Sequence, residues 1–341
     1  MRGSNNYLCS SKVSVLCIFL LCVFVLTTIY NQEEPNNMFR KTFEYVVHGK
    51  NVKDEQNVSD PLYGKQVSIS ENVRIFDITS NAIAYLNNCT KAIQRIPDGS
   101  TTPICVHKGD LFVSAEIVKT GWWERGNIQR VWDLMSPIKD MQFLDLGCNI
   151  GAFTIPIAKL GRRVTAVDAN RVNLKMLATS LRLGGLDENV TLIWNGLSNK
   201  TMYVDLITGI ENVGGAHIVS STEQDPEDRE NTVITVRLDD MLSMFEEKPF
   251  FVKMDIEMTE ALALQGAVAF FKEFDVRYVL MEWMHFKTKH PNDGEFIIDF
   301  LNQRSFTPFV PQDMKGLQLK DAHTTWPVEV LWMRIIKSGT G

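Results

Sequence analysis

Phe143-Leu144-Asp145-Leu146-Gly147-Cys148-Asn149-Ile150-Gly151 decides the fold of this chain. A strand-like run, Gln142–Leu146, enters a turn carrying two glycines, and a helical apolar run, Phe153–Leu160, leaves it. Gly147 and Gly151 let the backbone bend sharply and come close to a ligand lying over the strand end. Their spacing is Gly-x-x-x-Gly, with no G-x-G-x-x-G in this unit, so the second close glycine that admits a pyrophosphate is missing. Asp145 and Asn149 set a carboxylate and an amide where a phosphate site keeps bare backbone. That suits a ligand with an ammonium group and no phosphate.

The same alternation extends downstream. Val164–Val167 precedes a helical run, Val172–Leu183, and then Thr191–Trp194. A Gly/His/Ser-rich, acidic stretch, Gly209–Asn231, reads as a mobile loop between Met202–Leu206 and Val233–Leu238. Strand Phe250–Met254, helix Glu260–Phe271, strand Val276–Met281, helix Glu295–Gln303 and a last strand Glu329–Ile336 follow. Upstream, short apolar patches alternate with turns from Leu62 to Met135 and end in a helix over Asn127–Met135. The pattern predicts an α/β chain: a doubly wound, mostly parallel sheet with helices on both faces. Ligands bind beyond the carboxyl ends of such strands, so the residues after Leu146, Val167, Trp194, Met254 and Met281 are the candidates. Asp168 stands at one of those ends, where a carboxylate can take both hydroxyls of a ribose. An ammonium-bearing head and an adenosine ribose together describe S-adenosylmethionine. The plainer alternative makes Asp168 a helix N-cap in an ordinary βαβ unit.

The 341 residues are 45% hydrophobic and 22% charged, the balance of an ordinary folded protein with a sizeable core. Lys and Arg total 35 against 41 Asp and Glu, a net charge of −6, which argues against a nucleic-acid partner. One end is unusual. Val13–Tyr30 runs without a charge, proline or glycine, with Arg2 and Lys12 before it and Glu33 and Glu34 after it. At ~1.5 Å per residue such a helix reaches ~27 Å, enough for a thin bilayer. The flanking charges leave the short tail, residues 1–12, in the cytosol and the rest in the lumen. The segment is longer than the apolar core of a cleaved signal peptide and lacks a small-residue cleavage site, so an uncleaved signal anchor is expected. A polar stem over 31–61, an extension over 62–140 that covers the cofactor site, and a catalytic domain over 141–341 complete the organisation.

Four N-x-[ST] sequons, at Asn57, Asn88, Asn189 and Asn199, all lie on the luminal side. Cys9, Cys17 and Cys22 sit before or within the anchor, which leaves Cys89, Cys105 and Cys148 to an oxidising lumen. Cys89 and Cys105 flank the polar turn Pro97-Asp98-Gly99-Ser100 and are expected to close it by a disulfide. Cys148, in the apolar turn, reads as a buried free thiol.

Across Ser114–Glu282 the chain resembles the FkbM-like group of class I S-adenosylmethionine-dependent methyltransferases. Lys119-Thr120-Gly121-Trp122-Trp123-Glu124 is similar to the group's G-aromatic-E segment, and residues 143–151 to its D-x-G-x-N-x-G loop. Asn195-Gly196-Leu197-Ser198 resembles the segment beside the adenine. Val252-Lys253-Met254-Asp255-Ile256-Glu257 is similar to the K-x-D-x-E signature, Leu264-Gln265-Gly266-Ala267 to the helix end that follows, and Leu280-Met281-Glu282 to the acidic residue after the fifth strand. The resemblance implies a seven-stranded methyltransferase sheet with an antiparallel last strand. It also implies a cofactor site drawn from Glu124, Asp145, Gly147, Asn149, Gly151, Asp168, Asn195 and Leu197. One departure is visible: Met258 stands directly after Glu257, where the group has glycine.

Methyl transfer to a hydroxyl needs alignment and a base. Asp255 is the first choice for that base or for an acceptor-binding carboxylate, with Glu257, Glu282 and His285 as rivals. Lys253 would depress the pKa of a neighbouring acid or hold a substrate oxygen. No spacing of His, Cys, Asp and Glu matches a known metal motif, and a divalent ion between Asp255 and Glu282 stays an open alternative. A methyltransferase core behind an anchor and stem points to a Golgi membrane enzyme of type II topology acting on glycan hydroxyls. A tethered methyltransferase of a small molecule, lipid or protein side chain, and a catalytically silent binding protein, are the competing readings.

Overall fold

In a computed structural model, residues 70–85, 89–207, 217–220 and 231–335 are described. The expected anchor, the stem, and the sequons at Asn57 and Asn88 lie outside them. Among the described residues no helix is long and apolar enough to cross a membrane.

Helix α1 (Ile78–Tyr85) is followed by strands β1 (Thr90–Arg95) and β2 (Thr101–Val106), then helices α2 (Val113–Thr120) and α3 (Arg125–Met135). The alternating part runs β3 (Gln142–Leu146), α4 (Thr154–Lys159), β4 (Val164–Asp168), α5 (Arg171–Gly184) and β5 (Val190–Trp194). A small group of strands comes next: β6 (Gly196–Leu197), β7 (Met202–Ile207), β8 (His217–Ser220) and β9 (Thr232–Val236). The chain ends with β10 (Phe250–Met254), α6 (Glu260–Gln265), α7 (Val268–Glu273), β11 (Val276–Glu282), α8 (Pro291–Asn302), β12 (Phe306–Phe309) and β13 (Glu329–Arg334).

The main sheet has seven strands in the order β12-β13-β11-β10-β3-β4-β5. β11, β10, β3, β4 and β5 pair in parallel, and β13 pairs antiparallel with β11. The order turns back at β3, whose neighbours are β4 on one side and β10 on the other. Buried strands explain the unbroken apolar runs, because helices cover both faces. Phe250, Val252 and Met254 of β10 enter one core with α6, α7 and α8. Phe251 enters the other, with α3, α4 and α5, where its ring centroid lies 5.9 Å from that of Phe143.

Two stretches differ from the sequence expectation. His217–Ser220, inside the stretch expected to be a loop, is a strand that pairs antiparallel with β7, Leu206 opposite Ile218. The β-branched pair Ile218-Val219 supplies the strand preference that the surrounding Gly, Ser and acidic residues obscure. The single helix expected over Glu260–Phe271 is two. Gly266 packs so closely that a Cβ there would lie 2.3 Å from the carbonyl oxygen of Ser198. Asp239 then caps the second helix, accepting from the backbone N–H groups of Ala269 at 3.0 Å and Phe270 at 2.8 Å.

The β1–β2 hairpin turns through Ile96–Ser100, with Gly99 at φ 88°. Cys89 and Cys105 are joined across its open end, with Cα atoms 5.3 Å apart, while Cys148 is buried and free. The bridge spans a sequence separation of 16. Closing a loop of that length contributes about 3 kcal/mol through the unfolded chain. The Cys89→Ala/Cys105→Ala variant should therefore lose about that much stability in urea titrations. Equal midpoints for the two proteins under oxidising conditions would show that the bridge contributes nothing.

Candidate functional site

Side-chain parity builds the site. Along each strand, residues two apart share a face. Phe143, Ala166, Phe251, Leu280 and Leu331 all belong to the core under α3, α4 and α5. Two residues on from the first four along their strands stand Asp145, Asp168, Lys253 and Glu282. Two residues back from Leu331 stands Glu329, because β13 runs the other way and starts where the parallel strands end. One face of the sheet thus turns from apolar to ionisable at a single end.

Lys253 sits at the centre, 7% exposed. It lies opposite Asp145 in the β10–β3 register. Its Nζ donates to the Gly147 carbonyl at 3.0 Å and to Asp255 Oδ2 at 3.1 Å, and lies 4.0 Å from Asp145 Oδ1. It also stands 5.5 Å from the centre of the Phe153 ring. Burial works against its charge, but the carboxylates of Asp255, Asp145 and Glu124 outweigh this and hold it above the ordinary ammonium value. Asp145 is fully buried, and burial pushes its carboxyl up against the opposing pull of Lys253 and Thr154. Its Oδ2 accepts from Thr154 Oγ1 at 2.6 Å, whereas its Oδ1 has no hydrogen-bond partner.

The turn after β3 is compressed against the end of β10. Gly147 has φ 79°, and a Cβ there would fall 1.8 Å from the carbonyl oxygen of Asp255. No other residue fits. Gly151 has φ 89°, and a Cβ would fall 2.3 Å from Leu177 Cδ1. Asn149 takes φ 50° and accepts from the Ile150 N–H with its own side chain at 2.8 Å. Its backbone N–H donates to Asp168 Oδ2 at 2.7 Å, and Asp168 Oδ1 accepts from Asn170 N at 2.7 Å. Helix capping falls to Asn170, which accepts from Val172 N at 2.9 Å. Burial raises Asp168 to about 6 against these two backbone donors.

Glu124 precedes α3 with φ 41° and accepts from Asn127 Nδ2 at 2.8 Å. Burial raises its carboxyl, Asp255 adds to that, and Lys253 opposes it, so it belongs to the same charged group. Beyond β10 the backbone takes φ 53° at Glu257 and 74° at Met258. The second is the conformation that a glycine adopts at no steric cost, so the methionine is held there against its preference. Glu257 is raised to about 7, by burial and then by Asp255. Glu282 is raised to about 9 by burial and the acids around it. Burial lowers His285.

Asn195 and Leu197 do not join this group through their side chains. Asn195 accepts from Arg74 N at 2.9 Å and donates to the carbonyls of Asn72 at 2.9 Å and Ile234 at 3.0 Å, tying an upstream segment to β5. Leu197 is buried in the core. Three residues at or near the site are not among the candidates drawn from the sequence. Glu329 begins an antiparallel strand, and burial raises it well above the usual carboxylate range. Glu260 is 1% exposed, raised by burial to about 8, and leaves Oε2 without a partner. Trp194 ends β5 between two guanidinium groups, Arg171 at 4.9 Å and Arg74 at 5.3 Å from its ring centre. Of the remaining sequons, Asn189 and Asn199 are both exposed.

Residues 145–308 match the model of the methyltransferase FkbM domain. The chain is 42% identical over 52 residues to a ubiquinone biosynthesis O-methyltransferase of Caulobacter vibrioides, covering 15% of this chain and 21% of that protein. It is 31% identical over 74 residues to the 23S rRNA (uracil(1939)-C(5))-methyltransferase RlmD of Burkholderia cenocepacia, covering 22% and 16% respectively. It thus spans about a fifth of the length of these curated relatives. Among solved structures, the CcbJ methyltransferase of Streptomyces caelestis aligns at TM-score 0.36 and 9% identity, covering 67% of this chain and 98% of that one. The match to the methyltransferase FkbM domain over residues 145–308 falls on the part of the chain that carries the D-x-G-x-N-x-G turn and the K-x-D-x-E strand end.

Proposed function

We propose that this protein is an S-adenosylmethionine-dependent O-methyltransferase, anchored in the Golgi membrane with its catalytic domain in the lumen, and that its acceptors are sugar hydroxyls on glycoproteins or glycolipids. The observation that carries the reaction class is the pair of acids on neighbouring strand ends. Asp145 keeps a buried oxygen without a hydrogen-bond partner, and Asp168 uses one lone pair of each oxygen on backbone N–H groups. Both retain acceptor capacity where an ammonium head and a ribose would need it. The residues therefore fit the cofactor. When bound, S-adenosylmethionine supplies an electrophilic methyl on a sulfonium sulfur.

The protein's own part is positioning and proton transfer. Asp168 would hold the ribose hydroxyls, and Asp145 the charged head. Lys253, fixed by Gly147 and Asp255, sets the orientation of the Asp255 carboxylate. The Asp255 side chain is 31% exposed, which leaves it open to an incoming hydroxyl, and we assign it the acceptor proton. The location rests on the apolar segment Val13–Tyr30 with its flanking charges, on the sequons, and on the Cys89–Cys105 bridge. Sugar hydroxyls are the abundant acceptors in that compartment.

Two variants separate binding from turnover. Asp168→Ala should weaken cofactor binding about 10–100-fold in calorimetry, the loss of a charge-assisted hydrogen bond. Asp255→Asn should keep cofactor affinity while turnover falls about 10²–10⁴-fold. Near-normal turnover in Asp255→Asn would remove Asp255 from the role. Because Asp168 is raised to about 6, cofactor affinity of the wild-type protein should be level above that pH and fall below it, as the protonated carboxyl loses acceptor strength. An affinity that rises on acidification would contradict the ribose assignment. For the acceptor, glycans released from cells expressing the protein should carry methyl groups that are missing when Asp255→Asn replaces it. Identical glycan mass profiles would sink the glycan reading.

A further inference from the structure

Glu257, Glu282 and His285 converge just beyond the ends of β10 and β11. Each offers one ligand atom, and these atoms lie within 4.8 Å of one another. His285 Nε2 is 3.7 Å from Glu282 Oε2 and 4.0 Å from Glu257 Oε2. Those separations are too long for hydrogen bonds. They are close to what a common centre would impose: metal–ligand bonds of ~2.0–2.2 Å place neighbouring ligands about 3–3.5 Å apart. The side chains are only 28%, 16% and 15% exposed, and no hydrogen-bond donor among the described residues reaches either carboxylate.

Two further observations point to a missing positive charge rather than to a solvated acidic surface. Glu282 lies directly opposite Glu329 in the antiparallel register, and two facing carboxyl groups can both carry charge only where a cation offsets them. Glu260, 1% exposed, has an oxygen without a partner, and the charges acting on it are those of Asp255 and Glu257. The ammonium that acts on Glu257 and Glu282 cannot answer this need. Lys253 is already held by Gly147 and Asp255 and faces Asp145.

We propose that Glu257, Glu282 and His285 bind one divalent first-row transition-metal ion, with the chemistry of Mn2+. Two hard carboxylate oxygens and one imidazole suit such an ion better than Mg2+, which prefers oxygen throughout, or a thiolate-seeking ion. Three protein ligands leave positions open to water or to hydroxyl oxygens of an acceptor. That last role rests on the methyltransferase reading above, but the binding itself does not.

The test uses the full-length protein stripped with EDTA and titrated with MnCl2. Free Mn2+ is followed by electron paramagnetic resonance, and cofactor affinity is measured separately by calorimetry. One Mn2+ per chain is expected, with a nitrogen coupling in the pulsed spectrum. His285→Ala should abolish that coupling, and His285→Ala and Glu282→Gln should each weaken Mn2+ binding at least about tenfold while cofactor binding persists. Retained cofactor binding shows that a variant is folded. Glu257→Gln provides a third, independent removal of a ligand. The proposal is overturned by no stoichiometric binding to wild type, or by Mn2+ binding that is unchanged in all three variants. Mn2+ bound at this site by a protein that takes up no cofactor would refute the methyltransferase reading and leave the metal site standing.

Discussion

The ammonium of Lys253 is the constraint on which the candidate site depends. It is buried at the point where the sheet order reverses, in register with Asp145, and it bonds the turn after β3 to the end of β10. An isolated charge at that depth would be too costly to keep. The carboxylates of Asp255, Asp145 and Glu124 make it tenable, and it in turn makes their crowding tenable. Replacing the lysine with an apolar residue of similar length would leave three acids facing one another. The group stands or falls together.

The chain reaches this arrangement through the two-residue period of the strands. Helices cover both faces of the sheet, so every strand position is under pressure to be apolar. On the face under α3, α4 and α5 that pressure ends one layer from the top. Phe143 packs on Phe251, and the next residues on that face are Asp145 and Lys253. The aromatic layer below fixes the backbone positions from which the charged layer projects. Precision at the site is therefore inherited from packing rather than built by flexible loops.

Much of this was legible in the sequence because it is local. The glycine turn, the strand–helix alternation and the acids at strand ends are all written within a few residues of each other. Gly147 and Asp168 are examples. Features set by long-range contact were not legible. Gly266 breaks a helix because the Ser198 carbonyl approaches it, and Asp239 restarts the next one. Glu329 escaped because it lies at the amino end of its strand, and only the antiparallel pairing with β11 brings it to the site. Asn195 looks like a ligand-binding amide in its motif, yet its three hydrogen bonds go to the backbone of distant segments. The strained Met258 was visible as an unusual residue, while its left-handed backbone was not.

The excess of acids over bases at the strand ends bears on how cofactor exchange would run under the proposed function. S-adenosylmethionine arrives with a positive sulfur, and methyl transfer leaves an uncharged thioether. Asp145, Asp168, Asp255 and Glu124, with Lys253 their buried partner, present an acidic environment to a ligand lying over the strand ends. Such an environment attracts the sulfonium and loses that one attraction when the thioether forms, while the ammonium facing Asp145 is unchanged, so affinity would drop at the moment of transfer. The same charges that crowd the folded protein would then favour release of the spent molecule and entry of a fresh one. Turnover would be helped by a field that no single residue provides.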